Sequence, residues 1–86
     1  MQGNRYLELV DFAIQTYTKE RAKDLERLAP LEAGTLTHWT RGKGGEDVDI
    51  TAEIIAERRA RVALYDALIV RYKADLEEHE KRPERP

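Results

Sequence analysis

The 86-residue chain has no cysteine and no serine, one tryptophan, one phenylalanine and three prolines. Without cysteine there are no disulfides and no thiolate metal ligands. The joint absence of serine and cysteine removes the two commonest nucleophiles of covalent catalysis, leaving only Thr, Lys or Tyr for such a role. Long apolar runs are missing as well: Ala67-Leu68-Ile69-Val70 is as long as they become, far short of the roughly 20 residues that span a bilayer. Met1-Gln2-Gly3-Asn4-Arg5 leads into no signal-peptide h-region. The expectation is a soluble, cytoplasmic protein. Charge of one sign is also lacking, with 15 Lys and Arg against 17 Asp and Glu. The balance provides no global attraction to nucleic acid or to an anionic membrane.

What is present is charge in quantity (37%), a moderate hydrophobic fraction (41%) and helical periodicity. The length allows one small domain with a thin core. A first helix is expected from about residue 4, with Asn4 as N-cap, to about residue 29, where Pro30 and Gly34 are stop signals. Its stripe is Leu7, Val10, Ile14, Tyr17, Leu25 and Leu28, lapsing at Arg21. Residues 30–48 form a long connection holding four of the five glycines. The β-like stretch Thr35–Thr40 has no clear second strand to pair with, so an irregular loop is expected there. A second helix runs from about 49 to about 81, with Asp47, Asp49 or Thr51 as N-cap, followed by a short tail at 82–86. Its stripe is Ile55, Val62, Tyr65, Ile69, Tyr72 and Leu76, flanked by Ile54, Leu64 and Leu68.

Two such helices fold back as an antiparallel hairpin, giving an all-α chain in which level residues have numbers summing to about 78. That register sets Tyr17 beside Val62, Ile14 beside Tyr65, Leu7 beside Tyr72 and Leu25 beside Ile54. It also places Arg21 level with Arg58, forming a polar layer in the seam with Glu57 and Asp24 as neutralising partners. A single hairpin has only one seam, which leaves Leu9, Phe12, Leu64 and Leu68 in water. Self-association into a homodimeric four-helix bundle would cover them. The line Ala52, Ala56, Ala60, Ala63, Ala67 and Ala74 reads as helix-forming filler on an exposed face.

Chemical motifs are few. His38 and His79 read as solvated side chains, and no metal, cofactor or catalytic set emerges. Arg41-Gly42-Lys43-Gly44-Gly45 has the composition of a phosphate cradle without the spacing of a P-loop. Trp39, Arg41 and Lys43 with Arg58, Arg59 and Arg61 supply one stacking ring and a group of cations, the best partner-binding set in the chain. No recognised nucleic-acid motif stands behind them.

The run Asp49-Ile50-Thr51-Ala52-Glu53-Ile54-Ile55-Ala56-Glu57-Arg58-Arg59, preceded by a Trp-bearing connection and a polar first helix, resembles short helix-loop-helix proteins of bacteria and their phages. The resemblance implies a small cytoplasmic protein that acts by binding another molecule, as an adaptor or a phage-encoded inhibitor. The expected function is a non-enzymatic protein-binding module that self-associates. The alternative is nucleic-acid or nucleotide binding through Trp39, Arg41, Lys43 and Arg58 to Arg61.

Overall fold

The computed structural model describes residues 3–81. Helix α1 (Gly3–Glu32) leads into strands β1 (Trp39–Arg41) and β2 (Asp47–Asp49), and helix α2 (Thr51–Lys81) closes the chain. The helices lie side by side as a hairpin, and the strands form a two-stranded antiparallel sheet between them in sequence. The principal extents are 69 × 26 × 15 Å. The thinnest is close to the diameter of one helix with its side chains. The tail at 82–86 lies outside the described residues.

Helix α1 runs three residues past the expected stop at Ala29, with Pro30 inside its last turn. Proline removes a backbone donor there, but continuing the helix carries Leu31 into the seam, where it is 3% exposed. The stop comes instead from a Schellman motif. Thr35 N donates to Pro30 O (3.0 Å), Gly34 N donates to Leu31 O (3.2 Å), and Gly34 takes φ 78°. Only glycine adopts that left-handed backbone without a Cβ penalty. At the other end α1 begins at Gly3, so Asn4 lies inside the helix and is not its cap.

The connection is not an irregular loop. Asp47-Val48-Asp49, whose two aspartates were expected as helix caps, supplies the missing strand: Trp39 pairs with Asp49, Thr40 with Val48 and Arg41 with Asp47. Gly42 N donates to Glu46 O (2.8 Å) and Gly45 N to Gly42 O (3.0 Å), with Gly45 at φ 86°. The result is a three-residue hairpin turn that needs a left-handed residue at its last position. Valine between two aspartates gives too weak a β signal to read alone; the glycine turn makes the pairing.

The seam follows a heptad pattern. Leu7, Val10, Ile14, Tyr17, Arg21, Asp24, Leu28 and Leu31 alternate spacings of three and four along α1. All eight are buried or half-buried. Leu25, expected in the stripe, is 38% exposed, and Asp24 holds the buried place at 3%. One residue is about 100° of helix rotation, enough to turn Leu25 out of a strict heptad seam. The register differs from the expected one too. Tyr17 stacks on Tyr65 (5.7 Å between ring centroids) and on Tyr72 (6.1 Å), and Tyr6 meets His79 (4.9 Å). Level residues therefore sum to about 85, one heptad from the expected 78. The shift follows from the longer α1 and the later start of α2. A heptad slip preserves the faces, so the expected seam has the right side of each helix and the wrong neighbours.

Candidate functional site

Three features stand out once the helices are in register: a charged layer in the seam, the β-hairpin at the closed end, and the apolar outer faces.

The charged layer centres on Asp24. Its carboxylate accepts from Arg58 Nη1 (3.1 Å) and from Arg61 Nε (3.0 Å) and Nη2 (3.3 Å). The Asp24 and Arg58 side chains are only 5% and 19% exposed. Hydrogen bonding and Coulombic attraction to Asp24 push the Arg61 guanidinium above its ordinary range, with smaller contributions from Tyr65 and Glu57. Arg58 Nε is buried without a hydrogen-bond partner. The four expected members of the polar layer thus separate. Asp24, Arg58 and Glu57 gather around Arg61, whereas Arg21 ion-pairs with Asp66 on a more exposed surface. One carboxylate between two guanidiniums is neutralised in place, which is why it survives in the seam.

Arg59 ion-pairs with Glu32 at the C-terminal end of α1. The three arginines of the expected contact cluster are thus all engaged within the chain.

The β-hairpin carries the remaining contact residues. All six strand residues are exposed, with Trp39 at 57%. Trp39 Nε1 donates to Thr37 Oγ1 (3.0 Å), two residues back, so the indole is tethered to its own chain while more than half of the residue stays exposed. Arg41 and Lys43 are exposed on the same hairpin, with Glu46, Asp47 and Asp49 on its returning side and Asp47 paired with Arg41. Its base is anchored to α2. His38 N donates to Thr51 Oγ1 (2.9 Å) and Ile50 N to His38 O (2.9 Å). Asp49 Oδ1 accepts from Thr51 N (2.9 Å) and from the Thr51 hydroxyl, and these bonds hold the Asp49 carboxyl below its ordinary range. Of the three expected caps, Asp49 is the one that bonds the first-turn amide, from two residues before the helix.

The outer faces carry Leu9 (57% exposed), Phe12 (67%), Leu64 (55%) and Val70 (68%), while Leu68 is half-buried in the seam. Sequence reading missed Val70. It belongs to the Ala67–Val70 run, and its position opposite the seam is what distinguishes it from Leu68 and Ile69. The alanine line is exposed throughout. Among the described residues no group of three or more His, Asp or Glu is placed to hold a metal ion, and no helix is long and apolar enough to cross a membrane.

No family model, curated protein or solved structure matches the chain.

Proposed function

We propose that this chain is a small non-enzymatic protein-binding module, a self-associating helical hairpin acting as an adaptor or inhibitor, with the β-hairpin as its contact surface. The carrying observation is Trp39, a large aromatic left more than half exposed on a hairpin whose base is tied to α2. Exposed Trp and Arg side chains on a held backbone are the common anchors of protein interfaces. Trp39, Arg41 and Lys43 form this surface. Arg58, Arg59 and Arg61 contribute by fixing the helices that carry it, through Asp24 and Glu32.

The charges of the hairpin, two basic and three acidic, favour a protein partner over nucleic acid. Arg41 and Lys43 stand among Glu46, Asp47 and Asp49, so the local charge is not that of a phosphate-binding surface. The test compares Trp39→Ala with wild type in affinity capture quantified by mass spectrometry, with oligonucleotide titrations at several salt concentrations alongside. Loss of one specific protein with unchanged helical circular dichroism supports the proposal. Oligonucleotide binding that weakens steeply with salt would replace it with the nucleic-acid reading.

A further inference from the structure

We infer that the free edge of β1 pairs with β1 of a second copy of this chain, joining the two β-hairpins into one four-stranded antiparallel sheet in the order β2-β1-β1-β2. The inference rests on the self-association in the proposed function and adds where and how the copies meet.

The hydrogen bonds of the hairpin fix which backbone groups are free. Ile50 N donates to His38 O and Gly42 N to Glu46 O. With the register between them, His38/Ile50, Thr40/Val48 and Gly42/Glu46 are the hydrogen-bonded pairs of an antiparallel ladder, and they alternate with non-bonded pairs. The N–H and C=O groups of Trp39 and Arg41 therefore point away from β2, and among the described residues they have no hydrogen-bond partner. The sheet also stands clear of the helices: α1 packs on α2, β1 packs on β2, and all six strand residues are exposed. A two-stranded sheet with both edges in water is marginal by itself, and an added strand satisfies such an edge.

The two edges differ in what they accept. On β2 the outward groups belong to Asp47 and Asp49, and a two-fold axis at Val48 would set Asp47 opposite Asp49 twice, like charge on like. On β1 a two-fold axis at Thr40 sets Trp39 opposite Arg41 twice. Each of those pairs exchanges both of its backbone hydrogen bonds and brings a guanidinium beside an indole. Thr40 meets its own copy on the axis, a favourable cross-strand pair. An axis at Arg41 would oppose two arginines, and an axis at Trp39 would leave Arg41 facing Thr37, which lies outside the strand. With the axis at Thr40, the acids Asp47 and Asp49 occupy the outer strands, and each Arg41 stands between its own Asp47 and Trp39 of the second copy. Because the copies run antiparallel, their helix pairs leave from opposite ends of the sheet. Both indoles lie on one face, so the contact surface proposed above is doubled.

The experiment combines cross-linking with sedimentation equilibrium of the full chain, which has no native cysteine. On the axis, Thr40 and its copy form a non-hydrogen-bonded pair with Cα atoms about 4.5 Å apart, within disulfide reach. Thr40→Cys should therefore oxidise to a covalent dimer under conditions in which Val48→Cys, on the same face but on the outer strand, does not. The wild type should sediment at twice the 10.0 kDa chain mass. Arg41→Pro, which removes the outward N–H, should weaken the dimer at least about tenfold more than Arg41→Ala, which keeps it. Asp47→Pro, the same change on the β2 edge, should alter it by less than about threefold. A monomeric wild type would overturn both the self-association and this interface. A dimer in which Thr40→Cys cross-links no better than Val48→Cys, or which Arg41→Pro weakens no more than Arg41→Ala or Asp47→Pro, would overturn the interface and leave self-association standing.

Discussion

The two halves of the hairpin are held together by different physics. Near the closed end, charge joins the buried Leu28 and Leu31 in the seam: Asp24 between Arg58 and Arg61, Arg21 against Asp66, and Glu32 against Arg59. Near the open end they meet through rings and aliphatic side chains, with Tyr17 between Tyr65 and Tyr72, and Tyr6 on His79. Apolar contacts are non-directional, and a heptad seam made only of them could slip by one repeat at little cost. Buried charge is directional and costly when unpaired. The closed end therefore specifies which register is correct, and the open end supplies surface that any register would bury.

Removing Asp24 is the strongest way to break this division. Asp24→Ala leaves Arg58 half-desolvated without its counter-charge and should lower stability by about 3 kcal/mol in chemical denaturation. The absence of native cysteine gives the change a direct readout. A Tyr6→Cys/His79→Cys pair should cross-link in the wild-type background, and a Tyr6→Cys/Tyr72→Cys pair, one heptad away, only when Asp24 is replaced by Leu. Cross-linking of the shifted pair in the presence of Asp24 would mean that the charged layer does not choose the register.

Tyr17→Ala tests the other half. The ring is half-buried between two others, and its loss should cost about 2 kcal/mol while the register holds. Salt sharpens the contrast further. Arg21–Asp66 is exposed enough to be screened, so Arg21→Ala should cost less than about 1 kcal/mol and still less at high ionic strength. Gly34→Ala then probes the joint between α1 and the β-hairpin. It places a Cβ at φ 78°, and although nothing crowds that position, the left-handed backbone should cost about 1 kcal/mol.

The same contrast explains what could be read from the sequence. Apolar periodicity reports faces, so both helices, their seam sides and the exposed Leu9, Phe12 and Leu64 were legible. Periodicity is indifferent to a slip of one heptad, so the partners of Tyr17 and Arg21 were not. Asp24 was visible as a possible neutralising group beside Arg21. Its burial was not visible, because a carboxylate in a seam position becomes acceptable only when two arginines from the other helix reach it. The β-hairpin escaped for a related reason. Asp47-Val48-Asp49 has almost no strand character of its own, and its pairing comes from the turn at Gly42 to Gly45 and from the hold of Thr51 on His38. Pro30 misled for the opposite reason: it is a strong local stop signal overridden by the burial of Leu31.

Acid provides the finest probe of the closed end. The Asp49 carboxyl sits below its ordinary value because the Thr51 hydroxyl and amide both donate to it. A carboxyl whose pKa is depressed by folding stabilises the fold above the unfolded value of about 3.9 and loses that contribution as pH falls through the folded value. The Thr51 amide resonance should therefore titrate with a midpoint below the ordinary carboxylate value. Hydrogen-exchange protection in the first turn of α2, taken relative to the intrinsic rate at each pH, should fall as the pH drops through that midpoint. Asp49→Asn should abolish the Thr51 titration arising from this carboxyl. A midpoint at or above the ordinary carboxylate value would mean that Asp49 does not hold the start of α2. The β-hairpin would then be anchored by His38 and Ile50 alone, and Trp39 would stand on a looser base than its proposed role requires.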